Sequence, residues 1–541
     1  MKSLACDVLI IGAGVGGVAA ALAVARSGRR VILTEETRWI GGQFTSQAVP
    51  PDEHGWIERF GCTATYRSFR EKVRQYYRDH YPLLPGVRED PRLNPGNGWV
   101  SPLCHEPRVA LAVLEAMLAP FISSGKITLL LRHVPVAAAA GADNRLGAVT
   151  VRDLETGGET QLTASFYLDA TENGDLLPLA DIEHVTGSES RAQTGEPSAG
   201  EQPNPANVQA FSVCFVLEEL AGENHVIPQP PEYERWRNYV PRLNPPWPGP
   251  LLGWAGLNPR TMATMRYNFN PHREKPALFS GLWAFRRIID RTQFAAGAYR
   301  SDVCLVNWPM IDYMEGDLHT CDAPTRERHL ASAKQLSLSM VYWLQTEAPR
   351  PDGGTGWPGL RLRGDLLGTA DGLAMAPYIR ESRRIKAVKT IVEQDVSEKY
   401  RPGDKLGERY PDSVGIGYYR IDLHPSSGGD NYVDVPSLPF RIPLGALIPV
   451  RVENMLPAAK NIGTTHITNG CYRLHPVEWN IGESAGCLAV FCLERNLTPR
   501  AVHASVPLLR EYQATLRAQG VELEWPENVV LDEGDPHAHA R

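Results

Sequence analysis

The stretch that most restricts this chain is VLIIGAGVGGVAAALAVA at residues 8–25, eighteen residues without a charge. A run of that length suits a membrane span, a secretion signal or a nucleotide-binding turn, and its internal order decides among them. Asp7 directly precedes it, Lys2 is the only basic residue ahead of it, and Gly12, Gly14, Gly16 and Gly17 break up its first half. The β-branched CDVLII, the turn GAGVGG, an alanine-rich segment ending near Ser27-Gly28 and then RRVILTEE read as strand, turn, helix and strand. That is a βαβ unit of roughly 30 residues, with Gly28 suited to the left-handed position after a helix. Gly12, Gly14 and Gly17 form G-x-G-x-x-G at its turn. The first glycine permits the tight turn, the second lets a pyrophosphate approach the backbone, and the third allows close helix–strand packing. The phosphate charge then meets the positive end of the helix dipole. Glu35 ends the second strand, where an acid accepts hydrogen bonds from a ribose diol and disfavours the 2′-phosphate of NADP. The stretch is expected to hold a dinucleotide.

A second G-x-G-x-x-G, at Gly354, Gly356 and Gly359, follows EAPRPD rather than a strand, and Pro358 interrupts any helix start. It reads as a loop, so one dinucleotide is expected and no separate NAD(P)H domain. The nine cysteines are scattered with no CxxC pair, which points to buried reduced thiols rather than to a metal or iron–sulfur cluster. A net charge of −7 gives no reason to expect nucleic acid or an anionic membrane as partner. A soluble, cytoplasmic protein acting on a small molecule is the expectation.

Downstream, KITLLLRHVPVAAAA, LGAVTVRD and TQLTASFYLDATENGDL read as three strands of a β-meander ending in an Asp-Ala-Thr-x-x-Gly-Asp turn. Near the C-terminus, NMLPAAKNIGTTHITNGCYRLHPVEWNIGESAGCLAVF reads as a short strand, a glycine turn and a helix entered through GESAG. This layout resembles flavoproteins of the glutathione-reductase structural superfamily. It looks most like the broad FAD-dependent oxidoreductase family, which is also similar to fumarate-reductase-type flavoproteins. The resemblance runs from residue 5 to about 190 and from about 440 to 495. GGQFTSQAVPPDEH, LVNWPMIDY, PYIRESRRI and GYYRIDLH extend it through the middle of the chain. It implies an α/β fold: a Rossmann-like FAD-binding domain of glutathione-reductase type, a β-meander and a large inserted α+β substrate or cap domain. The divisions expected are 1–186 and 441–500 for the FAD-binding domain, 187–440 for the cap and 501–541 for a C-terminal helix and frayed tail.

By the same resemblance Gly12, Gly14 and Gly17 would hold the FAD pyrophosphate and Glu35 the adenosine ribose. Gly41, Gly42 and Gln43 would pass along the ribityl and flavin, with Gln47 also facing the ring. Val134 would meet the adenine through its backbone, and Asp169 and Gly174 would close the site. Asn461, Gly463 and a helix beginning near Gly482 would reach the far end. Glu172 departs from the family, which more often has a small residue there.

Residues 226–250 carry eight prolines, and seven of the twelve tryptophans fall between Trp236 and Trp357. Such a segment cannot continue a doubly wound sheet and is expected to cover the flavin, with some aromatics lining a substrate cavity. Helices are predicted over 325–346 and 378–396, with Arg380, Arg383 and Arg384 of the latter on a solvated face. The densest chemistry is THITNGCYRLHPVEWN. There His466 is the expected general base, Arg473 the anchoring cation, and Tyr472 or His475 an assistant. No metal site is expected. The function expected is an FAD-dependent dehydrogenase or oxidase taking a hydride from a small polar substrate. A flavin monooxygenase or halogenase and an electron-transfer subunit without its own substrate are the alternatives. The electron acceptor and any homo-oligomer stay open.

Overall fold

A computed structural model describes residues 2–272 and 281–531; the expected frayed tail at 533–541 lies outside them. Strand β1 (Lys2–Ile11), helix α1 (Val15–Arg26) and strand β2 (Val31–Glu35) form the expected βαβ unit. Gly28 is left-handed (φ +85°), and its N–H donates to Ala25 O at 2.9 Å, closing the helix. Helices α2 (Ala64–His80) and α3 (Pro107–Ser123) then cross to β3 (Ile127–Leu131), β4 (His133–Ala140), β5 (Leu146–Asp153) and β6 (Glu159–Asp169). Strands β3, β2, β1 and β6 run parallel in that order, while β6, β5 and β4 form an antiparallel meander. KITLLLRHVPVAAAA is therefore two strands rather than one. Arg132 sits between them at φ +61° and turns the chain from a parallel partner of β2 into an antiparallel partner of β5.

The middle of the chain builds a second sheet. Strands β7 (Phe215–Glu219), β8 (Arg287–Ile289), β9 (Val303–Val306) and β10 (Leu360–Leu362) pair antiparallel in the order β8-β9-β7-β10, with α4 (Ala323–Thr346) where the sequence predicts a helix. All seven tryptophans from Trp236 to Trp357 belong to one buried cluster here, together with Leu336, Met340 and Leu344 of α4. The GGTGWPG stretch is the loop before β10. The helix predicted over 378–396 is absent. Residues 379–383 lack regular structure, Arg384–Ile385 is a short strand paired with His184–Val185, and only Glu393–Val396 is helical. Of the charges read as a solvated face, Arg380 and Arg384 are at most 1 % exposed and Arg383 is half-buried. Buried ion pairs reaching in different directions replace the helical repeat.

The chain then returns through β11 (Ser413–Gly417), β12 (Ile421–Leu423), β13 (Phe440–Pro443) and β14 (Met455–Pro457), the last pairing parallel with the end of β6. Helices α5 (His466–Tyr472), α6 (His475–Arg495) and α7 (Val506–Ala518) follow. Helix α6 starts at His475, not near Gly482, which lies mid-helix. Eleven of the twelve residues of α1 are buried, because the sheet covers one side and α6 the other. This explains a run apolar enough to suggest a membrane span. The two helices touch backbone to backbone: a Cβ at Gly482 would stand 2.0 Å from Gly16 O, and one at Gly486 2.7 Å from Ala20 O. Gly482→Ala is expected to force these helices apart and destabilise the protein by about 1–3 kcal/mol, as overpacking does. Urea denaturation would show this as a lower midpoint at unchanged slope.

Candidate functional site

A cleft of about 440 Å³ runs along the C-terminal ends of β1, β2 and β6. Gly12 turns at its floor with φ +95°, where a Cβ would stand 2.4 Å from Ala170 O, so only glycine fits. Gly14, the N-cap of α1, lines the cleft, so the positive end of the helix dipole lies beside it. Glu35 lies on the wall. Its Oε2 accepts from Ala13 N at 3.0 Å and its Oε1 from Thr37 N and Oγ1 at 2.9 and 2.8 Å. Burial pushes its carboxyl up to about 7 against these donors.

Glu172 of the Asp-Ala-Thr turn places Oε1, buried and without a hydrogen-bond partner, against Gly14 and Gly42. A Cβ on either glycine would meet that oxygen at 2.8 or 2.7 Å. Its other oxygen pairs with the fully buried Lys460 ammonium. Lys460 also lies 3.6 Å from Glu478, which accepts from Gln43 Nε2 at 2.7 Å. Burial would depress the lysine, but the two carboxylates outweigh it and hold it above its ordinary value. Farther along the wall Gln47 is buried, with neither amide atom partnered.

Across segment 376–380 lies a second cavity of about 120 Å³. Ala376 faces the first cleft, while Tyr378 and Arg380 face the second. Its wall combines aromatic rings with Arg286, Arg380, Arg473, Asp52 and His424. The His424 Nδ1 lies 2.6 Å from Oδ2 of the fully buried Asp312, whose Oδ1 pairs with Arg380 Nη2 at 3.0 Å. Burial alone would raise Asp312, yet Arg380 and His424 hold it below the usual carboxylate range. His424 is itself lowered, by burial and by Arg380. The dyad is therefore an ionised Asp312 accepting from the Nδ1–H of a neutral His424.

Among the residues singled out from sequence, Gly12, Gly14, Glu35, Gly42 and Val134 line the first cleft and Arg473 the second. Gly41 and Gln43 flank the loop behind Gly42, Gln43 Nε2 also reaching Arg473 O at 3.2 Å. Asp169 ends β6, its Oδ1 accepting from Thr171 N and Oγ1 at 3.0 and 2.7 Å, and burial pushes it up to about 7. Gly174 packs under Arg383, and Asn461 donates to Asp169 O at 3.1 Å. Gly17, Gly463 and Gly482 make packing contacts with Gly12 O, Ala387 and Gly16 O.

Three of the four expected catalytic residues stand outside the walls of both cavities. His466 Nδ1 faces both Glu381 oxygens at 2.9 Å and borders a third cavity of about 180 Å³. Burial would lower His466, but the Glu381 carboxylate leaves it above its ordinary value, so it is the charged half of an ion pair rather than a free base. Tyr472 donates to Arg441 O at 2.8 Å and stacks on Phe440. His475 Nδ1 accepts from Asp52 N at 3.1 Å, and burial holds the ring neutral, well below its usual range. Of the seven tryptophans in the middle of the chain only Trp308 lines the second cavity. The residues not assigned a leading role from sequence are His424, Asp52, Asn307, Trp308, Tyr378 and Arg380. These fall in GGQFTSQAVPPDEH, LVNWPMIDY, PYIRESRRI and GYYRIDLH, the stretches that carry a resemblance but no derivable chemistry, whereas Arg286 of the same wall lies in GLWAFRRIID, outside them.

The family model "FAD dependent oxidoreductase" matches residues 7–516, including the whole middle segment. The chain belongs to this family. The first cleft has a glycine turn, a helix N-terminus, a buried acid at the end of β2 and an unpartnered buried amide, a set that fits an FAD. A curated 4-oxocyclohex-2-ene-1-carboxylate 5-dehydrogenase from Sinomonas cyclohexanicum is 36 % identical over 85 residues, 15 % of this chain and 13 % of that protein. Solved structures align more loosely. L-proline dehydrogenase from P. horikoshii matches at 15 % identity and TM-score 0.17, over 35 % of this chain and 24 % of that one. The myxobacterial chondrochloren halogenase matches at 16 % identity and TM-score 0.22, over 41 % and 45 %. Among the described residues no helix is long and apolar enough to cross a membrane, and no group of three or more His, Cys, Asp and Glu could hold a metal.

Glu172 places negative charge in the cradle that would receive the FAD pyrophosphate. Glu172→Gln is expected to tighten FAD binding, lowering the dissociation constant about tenfold, on the order of 1.4 kcal/mol. Fluorescence titration of the apo-protein measures this, and weaker binding would show that the carboxylate supports the cradle.

Proposed function

We propose that this flavoenzyme is a dehydrogenase or oxidase that takes a hydride and a proton from a small polar organic substrate held in the arginine-lined cavity. The observation that carries this reading is the Asp312–His424 dyad on the wall of that cavity, one short segment away from the FAD cleft. Bound FAD supplies the two-electron, hydride-accepting chemistry. Gly12, Gly14 and the N-terminus of α1 would hold its pyrophosphate, Glu35 its ribose, and Gln47 the polar edge of its ring.

His424 supplies the base. With Nδ1–H fixed on Asp312, the Nε2 lone pair is the proton acceptor, and the ionised Asp312 stabilises the imidazolium that forms. A bound FAD would supply the hydride acceptor, and His424 would take the proton from a substrate that leaves two electrons more oxidised. Arg473, Arg380 and Arg286 orient it and stabilise negative charge that develops as the proton leaves. His466, the base favoured from sequence, has its ring in an ion pair with Glu381 and supports the segment carrying Arg380 instead.

Anaerobic mixing of the holoenzyme with panels of sugars, hydroxy acids, amines and NAD(P)H tests the reading. Bleaching by one organic class is expected, whereas bleaching by NAD(P)H alone would move the protein to the monooxygenases. With the bleaching substrate, His424→Gln should lower the reduction rate by about 10²–10⁴ while leaving FAD bound. Because His424 must be neutral to act and its pKa lies below the ordinary histidine value, the rate should hold on the alkaline side and fall only in acid. Asp312→Asn removes the charge that favours the imidazolium, so the acid limb should shift to still lower pH. Stopped-flow reduction across pH reads both effects.

A further inference from the structure

Sugar, amine and carboxylate are all compatible with aromatic rings and arginines, but the hydrogen-bond inventory of the second cavity separates them. Three of its guanidinium groups are only partly committed, Arg380 through four of its five N–H donors, Arg473 through three and Arg286 through two. Arg380 gives Nη1 to Ala210 O and Ser212 Oγ at 2.6 and 2.9 Å, and Nη2 to Asp312. Arg473 gives Nη1 to Tyr378 Oη at 3.3 Å and Nη2 to Asp422 O at 3.0 Å. Arg286 gives Nη1 to Asn307 O at 3.2 Å and Nη2 to Asp52 at 3.3 Å. In all three the Nε–H is buried and has no acceptor. Arg380 and Arg473 are only 1 % and 3 % exposed, so water does not readily serve these groups. Trp308 adds a fourth buried donor, its unpartnered Nε1–H. A buried donor left unpaired costs about 1–3 kcal/mol, and several on one small cavity call for a ligand rich in acceptors.

The charge balance points the same way. Arg260, Arg286, Arg380, Arg420 and Arg473 line the cavity against Asp52, Asp422 and Asp434, with Asp312 behind the wall. The balance is one positive charge, and burial raises both Asp52 and Asp434 toward their neutral forms. We infer that this cavity takes the carboxylate of a small organic acid on the guanidinium groups of Arg286, Arg380 and Arg473, with the apolar body of the acid against Trp308 and Phe285. A carboxylate offers two oxygens and about four acceptor positions, which suits a wall carrying five guanidinium groups. An amine would bring a like charge and more donors, and a sugar would bring as many donors as acceptors. The inference rests on the reading of this cavity as the substrate site.

The test uses the holoenzyme, the flavin spectrum as reporter, and cyclohexanecarboxylate and benzoate against their neutral amides. Both carboxylates are expected to perturb the flavin band with dissociation constants at least tenfold below those of the amides. Arg473→Lys and Arg286→Lys keep the charge but remove the Nε donor. Each should weaken the carboxylates about tenfold and leave the amides within twofold, with bound flavin and far-UV circular dichroism confirming a folded holoenzyme. Amides binding as well as the acids, equal weakening of both, or no perturbation by any probe would overturn the inference. Flavin bleaching by a neutral substrate alongside such a result would leave the dehydrogenase reading standing. Carboxylate binding with no bleaching by any organic class would uphold the anion site and remove hydride transfer.

Discussion

The rest of the molecule depends on one contact without side chains, the crossing of α1 and α6 at Gly16 and Gly482. Because backbone meets backbone there, Glu478 on α6 can reach Gly16 N at 3.5 Å, and Gln43 can reach Glu478. The strand before α6 joins the sheet beside β6, and that places Lys460 opposite Glu172 and Asn461 under Asp169. A larger residue at the crossing would move the whole C-terminal return away from the glycine turn. The cofactor cleft would then lose one wall even though its N-terminal motif was intact.

Around this frame the protein buries many charges, and how completely they are paired separates support from function. Arg384 is bonded to Glu381, Glu189, Gly187 O and Thr464 O, and Glu381 also holds His466 and Gln209 N. Such a network repays much of its desolvation cost within itself. The same short segment carries Arg380 into the second cavity, where its Nε is left over. The complete network holds the incomplete one in place. Helix propensity across 378–396 lost to this arrangement because each buried ion pair broken to form a helix would leave a charge in a low-dielectric interior.

The first cleft was legible because its parts are local. Turn, helix dipole and ribose acid lie within residues 12–35, and their chemistry follows from glycine spacing and strand ends. Glu172 was visible as a departure, though its pairing with Lys460 across 288 residues was not. The catalytic choice of His466 followed the density of titratable side chains along the chain. That density was a poor guide, because neighbours in sequence on α5 and α6 point into different surroundings. His424 stood alone in IDLHP and gained its meaning only from Asp312, 112 residues away.

By itself the sequence determined a βαβ unit with a glycine turn near the N-terminus, a resemblance to the FAD-dependent oxidoreductase family, and a tryptophan-rich middle segment. These depend on spacing within single elements, which backbone geometry enforces wherever they fold. Only the tertiary structure decided which side chains line the second cavity, and that His424 rather than His466 is among them. Asp52, Arg286, Asn307, Arg380, His424 and Arg473 share one wall because long-range packing brings six separate stretches of chain together. Whether a buried imidazole or guanidinium is spent or available depends on partners that no local pattern specifies.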